Sequence, residues 1–265
     1  MATRASLPSS PERSERRPAA SAARSTVTAM DAERLHVVFD TLLAAYGPQR
    51  WWPAQSAFEV MVGAVLTQNT AWTNVERALL RLAARVPLEA QAILDLPLEA
   101  LAQALQPSGY FNVKAQRLRA FCDAFIAEGG LERLGALETG ELRRRLLAIR
   151  GVGPETADDM LLYAFGRPVF VVDAYTRRVF TRLDLLAGDE GYETIRAAFE
   201  SALGPDAPLY NEYHALIVRH GKDLCRTKPR CMDCCLRLQC PRAGTGRSGF
   251  SPTAAVGRAT RSRSD

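Results

Sequence analysis

The chain has 265 residues, 47% of them hydrophobic, which is enough for one substantial hydrophobic core or two small ones. No apolar run reaches the roughly 18 to 20 residues of a transmembrane helix, and the basic N-terminus lacks the apolar centre of a secretory signal, so we expect an intracellular, cytoplasmic protein without a membrane partner. The formal net charge of +5 does not by itself indicate a polyanionic partner, because residues 1–29 and 243–265 carry +3 each and residues 30–242 carry −1.

Both ends of the chain are rich in Arg and in small or polar residues, with almost no apolar periodicity. This composition predicts disordered basic tails over residues 1–30 and 243–265. Such arms either add salt-sensitive attraction to a polyanion or are solvated spacers. A second basic feature is local: residues 219–242 carry seven Arg or Lys against two Asp, a net charge of +5 that favours phosphate contact.

Between the tails, hydrophobic periodicity predicts ten helices, with Gly, Pro, Ser or Asn at most of the joints. They span approximately residues 31–46, 55–67, 72–84, 96–105, 113–127, 139–148, 155–165, 174–184, 191–202 and 207–221. Only residues 168–172 (PVFVV) have the pattern of a short strand. We therefore expect an all-α fold without solenoid repeats.

The segment IRGVGPETADDM, residues 149–160, interrupts two predicted helices with Gly151 and Gly153. Glycines leave their N–H groups unshielded, and Pro154 and Glu155 suit the first turn of the next helix. Two helices joined in this way can present backbone donors to a phosphate. An ordinary turn between helices explains the same residues, so the pattern alone leaves both interpretations open.

A second candidate is Asp173, which ends the apolar run and opens a helix carrying several Arg, among them Arg178. Asp is a common helix N-cap, which would explain the residue without any function. Alternatively, the helix terminus keeps the carboxylate ionised at a cleft, where it stabilises a sugar cation or activates water. Spacing does not choose between these roles.

Five of the six cysteines lie between residues 225 and 240, with the spacing Cys225-x5-Cys231-x2-Cys234-x5-Cys240. In a reducing compartment this clustering predicts a metal or cluster site rather than disulfides. Cys235 lies next to Cys234, so clustering alone leaves the third member of a four-cysteine set open between these two. A tetrahedral zinc site is the alternative, although zinc modules usually contain two CxxC pairs and this segment has one.

Several motifs occur in a characteristic order: LTQNT, PSGYFNVKA, IRGVGPETA, VFVVDAYTRR, HGKDLC and the remaining cysteines. The ordered set, from about Trp51 to Cys240, resembles the helix-hairpin-helix (HhH-GPD) DNA glycosylases of the endonuclease III superfamily. The resemblance implies two helical lobes with a cleft between them that contains Asp173. A six-helix barrel lobe with the hairpin would cover residues 54–165, and an iron-sulfur lobe would combine residues 31–53 and 166–242.

The same resemblance implies roles for individual residues. Gly151 and Gly153 would bind a DNA phosphate, Asp173 would be the catalytic carboxylate, and Arg178 would contact DNA. Gln68 and Tyr110 would fill the gap left by a flipped base, since enzymes that act on a base extrude it from the duplex; a buried amide and a loop aromatic are the alternatives. Cys225, Cys231, Cys234 and Cys240 would hold a [4Fe-4S] cluster, with Cys234 favoured over its neighbour Cys235 as the third ligand.

Glu155 is the most informative departure from the family pattern. Members that also cleave the DNA backbone have a lysine here, whose amine forms a Schiff base. A carboxylate cannot form an imine, and the chain contains only three lysines, Lys114, Lys222 and Lys228, none at this position. We therefore predict a monofunctional glycosylase with little AP-lyase activity.

The tryptophans indicate the substrate class. Trp52 in RWWP and Trp72 after LTQNT match the aromatic pair of the endonuclease III-like 3-methyladenine DNA glycosylases, which sandwiches the flipped base; Glu155 would complete the pocket. Indole faces attract a cationic alkylated purine by about 0.5 to 2 kcal/mol. Core packing is the alternative, and for Trp51 we favour it.

The predicted function is base-excision repair of alkylated purines by a nucleoid-associated monomer that acts on double-stranded DNA containing a damaged base or abasic site. Two alternatives are an endonuclease III-type glycosylase for oxidised pyrimidines with weak AP-lyase activity, and a non-catalytic binder of damaged DNA.

Overall fold

The structure, a computed structural model, describes residues 30–49, 51–52 and 54–244. These residues form twelve α-helices. They are α1 (Ala32–Tyr46), α2 (Ala57–Thr67), α3 (Trp72–Ala83), α4 (Ala90–Asp95), α5 (Leu98–Leu105), α6 (Phe111–Ala127), α7 (Gly130–Gly135), α8 (Thr139–Ala148), α9 (Pro154–Asp159), α10 (Ala174–Arg182), α11 (Tyr192–Leu203) and α12 (Ala207–Asp223). A π-helical turn, Met160–Ala164, continues α9.

The predicted all-α fold is confirmed, and each predicted helix is present. Sequence reasoning missed α4 and α7, which have six residues each and are too short to show a helical period. Predictions for the two tails fall almost entirely outside the described residues. No helix in the described part of the chain has the length and apolarity needed to cross a membrane.

The predicted strand at residues 168–172 is wrong. This segment is extended, but it pairs with no other strand within the described ranges. Side chains, instead of a neighbouring strand, accept hydrogen bonds from its backbone. Phe170 N donates to Glu200 Oε1 at 3.0 Å, and Val172 N donates to the hydroxyl oxygen of Tyr192 at 3.4 Å. The apolar run reflects burial on both sides as the chain crosses from one hydrophobic core to the other.

The two lobes have separate hydrophobic cores. The first core is built from α2, α3, α5, α6 and the helices around the hairpin, with Phe58, Phe121 and Met160 buried among many aliphatic side chains. The second contains side chains of α1, α10, α11 and α12 together with the extended segment before α10, whose Phe170 stacks on Phe199 of α11 with centroids 4.1 Å apart. The chain crosses between them just before Asp173.

A buried carboxylate connects the hairpin to the second lobe. Asp158, fully buried on α9, accepts from Arg143 Nε at 2.7 Å and Nη2 at 3.1 Å, and the Tyr192 hydroxyl of α11 donates to it at 2.9 Å. Burial raises the pKa of Asp158, although Arg143 and Tyr192 oppose the shift. These bonds hold α8, α9 and α11 together and so set where α9 faces the second lobe.

Candidate active site

A cleft of about 760 Å³ lies where the two lobes meet. Its aromatic and ionisable lining residues are Trp51, Trp52, Trp72, Glu155, Asp159, Asp173, Tyr175, Arg178, His214, Lys222 and Arg226. The first lobe supplies Trp72 and the carboxyls of α9, and Trp52, which precedes α2, packs against the core of that lobe. The second lobe supplies side chains of α10 and α12. Residues far apart in sequence therefore share one solvent-accessible space.

Asp173 caps α10 and faces this cleft. Its Oδ1 accepts hydrogen bonds from Thr176 N at 2.7 Å and Thr176 Oγ1 at 2.9 Å. The residue is 9% exposed. Burial by itself raises the pKa of a carboxyl, but the His214 imidazole and the two Thr176 donors outweigh it, so the pKa of Asp173 is lowered. The helix cap and the ionised cleft carboxylate are thus one and the same group.

His214, which the sequence reasoning did not single out, lies beside Asp173. Its Nδ1 is 2.6 Å from the hydroxyl oxygen of Tyr163. Its Nε2 is buried without a hydrogen-bond partner in the described part of the chain and lies 3.7 Å from Asp173 Oδ2, beyond hydrogen-bond distance. The residue is 5% exposed. No sequence pattern marked it, because α12 brings it to the site only through tertiary packing.

Two further carboxyls line the cleft one helical turn apart, Glu155 and Asp159 on α9. Burial raises the pKa of Glu155, and the charge of Asp173 adds to the shift. Burial likewise raises the pKa of Asp159 well above its usual value, with contributions from Glu155 and Asp173, and no hydrogen bond opposes it. The sequence analysis overlooked Asp159, although its i+4 spacing from Glu155 on a predicted helix could have indicated it.

The aromatic wall consists of Trp52 and Trp72. Their ring centroids are 4.9 Å apart and their planes make an angle of 75°, so the two rings touch edge to face. A base between two parallel rings needs them about 7 Å apart, so one indole must rotate before the pair can sandwich a base. Gly63 permits this packing, because a Cβ there would lie 3.3 Å from an atom of each indole. Trp51, expected in the core, instead lines the cleft and is only half-buried.

Of the two hairpin glycines, only Gly151 has a backbone conformation that requires glycine. Gly151 has φ +91°, and a Cβ there would lie 2.4 Å from Arg117 Cγ. Gly153 is the N-cap of α9 with an ordinary φ of −98°. Gln68 contacts the same hairpin: its Nε2 donates to Gly151 O and Thr156 Oγ1, each at 3.0 Å, and its Oε1 accepts from Arg117.

The structure places the other proposed DNA-contacting residues in different surroundings. Tyr110 is 73% exposed and has a left-handed backbone with φ 45°, so its ring projects from the surface. Arg178 lines the cleft, but its Nε donates to Cys225 O at 2.8 Å and its Nη2 to Gly221 O at 3.0 Å. Arg178 therefore also connects α10 to the start of the cysteine segment.

The five clustered cysteines are free and half-buried, and four of them pack against the second core. Among the described residues no group of three or more His, Cys, Asp or Glu side chains is arranged to hold a metal ion. Burial raises the pKa of Cys234 to about 11, and Cys235, Cys225 and Cys240 add to this. The chemistry of this donor set, five thiols within one short segment, fits a thiolate-ligated group.

The three lysines differ in their access to the cleft. Lys222, exposed on α12, is a lining residue. Lys114 is buried in the first lobe, where its Nζ donates to Leu66 O at 2.8 Å and Ser108 O at 2.7 Å, and burial lowers its pKa to about 8. Lys222 is thus the only lysine of the described ranges that lines this cleft.

Known proteins resemble this chain over most of its described length. It is 45% identical over 212 residues to a protein of Methanocaldococcus jannaschii with a provisional assignment as a DNA repair glycosylase, covering 78% of this chain and 96% of that protein. Endonuclease III of Haemophilus influenzae is 31% identical over 188 residues, which is 70% of this chain and 83% of the enzyme.

Solved structures show the same fold. A 3-methyladenine DNA glycosylase of H. pylori, bound to 1,N6-ethenoadenine, superposes with a TM-score of 0.63 at 29% identity, covering 72% of this chain and 97% of that one. An endonuclease III in a non-covalent DNA complex superposes with a TM-score of 0.69 at 21% identity, covering 80% and 96%. The family model described as HhH-GPD superfamily base excision DNA repair protein matches residues 62–205. The chain therefore belongs to the HhH-GPD superfamily of base-excision DNA repair proteins.

Proposed function

We propose that this protein is a DNA glycosylase that extrudes a damaged base from double-stranded DNA and hydrolyses its N-glycosidic bond. The observation that carries the proposal is Asp173, held by two Thr176 donors at a cleft that both lobes line, in a chain of a base-excision repair family. The lobes, residues 54–165 and residues 31–53 with 166–242, would hold the DNA across this cleft.

Asp173 would supply the central electrostatic contribution. When the bond between base and sugar breaks, positive charge develops on the sugar, and a carboxylate already oriented by two Thr176 donors stabilises that charge without reorganising. Its second oxygen, Oδ2, receives no direct hydrogen bond from His214 at 3.7 Å and remains available to a water. Burial strengthens the interaction because water does not screen it.

The cleft lining favours a cationic base as substrate. Trp52 and Trp72 offer electron-rich faces once one ring has rotated, and the carboxylate of Asp173 faces the same space. A base that carries a positive charge, such as an alkylated purine, is attracted by both features. The 3-methyladenine glycosylase relationship supports the same substrate class.

DNA would be held mainly by the hairpin side of the cleft. Gly151 and Gly153 would offer backbone N–H groups to a phosphate, with Gln68 fixed against the hairpin by its hydrogen bond to Gly151 O. The exposed Tyr110 would enter the duplex where a base has left it. Arg178 and the basic segment over residues 219–242 would add attraction to the backbone.

We propose a monofunctional reaction. Glu155 occupies the position of the family's lysine and has no amine, so it cannot form a Schiff base. Lys222 supports the second candidate, a glycosylase with weak AP-lyase activity, because its amine lies at the same cleft. Borohydride trapping on an abasic duplex separates the two candidates, since only an amine nucleophile gives a covalent adduct.

We also propose a [4Fe-4S] cluster held by Cys225, Cys231, Cys234 and Cys240. Four thiols in 16 residues near the end of the second lobe are the donors that such a cluster takes. The cluster would brace the basic segment that follows α12. Zinc is the competing ion, and metal analysis with visible absorbance of anaerobically purified protein decides between them.

The test of the proposed activity is base release from a panel of duplexes containing alkylated, oxidised or mismatched bases. Each reaction mixture is divided into two samples. Alkali treatment of one sample cleaves the DNA at abasic sites, and the untreated sample shows strand cleavage by the protein itself. We expect alkali-dependent cleavage, strongest for an alkylated purine. Normal binding with no base release from any lesion would leave only the non-catalytic binder.

A further inference from the structure

His214 has a ring nitrogen that makes no hydrogen bond to any described residue, although it is buried from solvent. The residue is 5% exposed, and its Nε2 is buried without a hydrogen-bond partner in the part of the chain that the structure describes. A buried donor without a partner loses its hydrogen bonds to water and gains none in return, so it destabilises the fold. Such a group is retained in a fold where it serves a ligand, a water or a reaction.

Asp173 provides the acceptor that faces this nitrogen. Thr176 gives both of its hydrogen bonds to Oδ1, which leaves Oδ2 facing His214 Nε2 at 3.7 Å. The gap is about 1 Å longer than a charge-assisted hydrogen bond. Either a water bridges the two atoms or a small movement on DNA binding closes the distance. Both atoms belong to residues that line the cleft.

Tyr163 determines which proton His214 carries. Burial raises the pKa of the Tyr163 hydroxyl well above its usual value, so the hydroxyl stays protonated. A carboxylate can only accept, so the nitrogen that faces Asp173 must carry the hydrogen. In the neutral ring Nδ1 is then the acceptor, and the Tyr163 hydroxyl donates to it at 2.6 Å. The direction of donation runs from Tyr163 through His214 to Asp173.

We propose that Tyr163 and His214 form a positioning relay that orients Asp173 and aims its second oxygen, Oδ2, at the attacking water. This inference rests on the proposed glycosylase function. In the hydrolysis, the water oxygen forms a bond to the sugar carbon, the bond to the base breaks with its electron pair leaving on the base, and Asp173 Oδ2 takes a proton of the water. His214 holds the carboxylate and is not consumed.

The relay also connects the aromatic wall to the carboxylate. The ring of Tyr163 contacts Trp52, with centroids 4.9 Å apart, while its hydroxyl contacts His214. A base that displaces Trp52 would therefore press on the same tyrosine that orients His214. Base insertion and carboxylate alignment become coupled through one ring.

Other ionisable groups face this relay and must be separated from it. They are Glu155, which interacts electrostatically with His214, and Asp159 and Glu212, whose charges raise the pKa of Tyr163. Because Glu155 also titrates at the cleft, an acidic limb in the rate could belong to it instead of Asp173. A Glu155→Gln background removes that ambiguity.

The test is the pH profile of the single-turnover base-excision rate. We expect Tyr163→Phe and His214→Ala to lower the rate at neutral pH about 10- to 100-fold, the effect usual for residues that orient a functional group. We also expect the acidic limb to move to higher pH, because burial then dominates the pKa of Asp173. The same displacement should persist in the Glu155→Gln background. His214→Gln, which keeps a long side chain with an N–H donor, should recover part of the rate.

Tyr213→Phe is the matched control. It is the neighbour of His214 on α12, and its buried hydroxyl donates to Leu35 O at 2.7 Å, away from the cleft. It should lose similar stability without moving the acidic limb. If Asp173→Asn abolishes base release while Tyr163→Phe and His214→Ala both keep the wild-type profile, the relay is refuted and the proposed function stands. If Asp173→Asn has no effect, the proposed function itself fails.

Discussion

Asp173→Asn separates catalysis from folding more cleanly than any other change at this site. The Asn Oδ1 can accept the same two hydrogen bonds from Thr176, at 2.7 and 2.9 Å in the native protein, so the cap of α10 is retained. Asn and Asp are comparable N-caps, and the lost charge–dipole interaction is worth about 0.3 to 1 kcal/mol. We therefore expect a decrease in the free energy of unfolding of about 1 kcal/mol or less.

The expected loss of activity is much larger. The variant removes the charge that would stabilise the sugar cation and accept a proton from water, a contribution of about 10²- to 10⁴-fold in rate. This corresponds to about 3 to 5 kcal/mol in the activation free energy. Single-turnover base release from methylated duplex measures the rate, and thermal unfolding measures the stability. We therefore predict that Asp173→Asn raises the activation free energy of base release by much more than it lowers the free energy of unfolding.

Asp206→Asn is the matched control. Asp206 caps α12 by accepting from Leu209 N at 2.9 Å, and it is exposed and does not line the cleft. It should show the same small change in stability and an unchanged rate. A rate for Asp173→Asn within tenfold of wild type, in protein that melts normally, would refute the role given to this carboxylate.

Four further outcomes are expected. At pH values above 3.8, the usual carboxyl pKa, Asp159→Asn should raise the free energy of unfolding, and the gain should grow with pH. The reason is that the pKa of Asp159 is raised in the native protein, which therefore binds more protons than the unfolded chain and loses stability as pH rises. Denaturation at several pH values checks this, and a variant less stable than wild type at neutral pH contradicts it. Gly63→Ala places a methyl 3.3 Å from both indoles and should lower excision of alkylated bases by displacing these rings, which tryptophan fluorescence and base release report together. Cys234→Ser should reduce bound iron and Cys235→Ser should not, and equal iron in both variants would reject our choice of ligand. Any adduct trapped by borohydride should disappear in Lys222→Ala, and an adduct that survives would point to an amine outside the cleft.

The helical content and the order of motifs followed from local signals. Periodicity located ten helices because each buries one apolar face, and it overlooked α4 and α7 because six residues show no period. The run at 168–172 was predicted to be a strand because burial on two sides has the same composition as a buried strand. Local patterns cannot tell which partner covers a segment, and here side chains such as Glu200 satisfy the backbone.

By itself, the sequence of this protein determined its family motifs, the hairpin glycines and the candidates Glu155 and Asp173, since these depend on residue type and short spacing. Only the tertiary structure decided that Asp159 and His214 meet them at one cleft and that Trp52 and Trp72 touch each other rather than standing apart. The pKa directions also belong to the tertiary structure: burial raises the pKa of Glu155, whereas the neighbours of Asp173 lower its pKa although it is also buried. These shifts depend on burial and on distances between residues remote in the chain, which no local pattern contains.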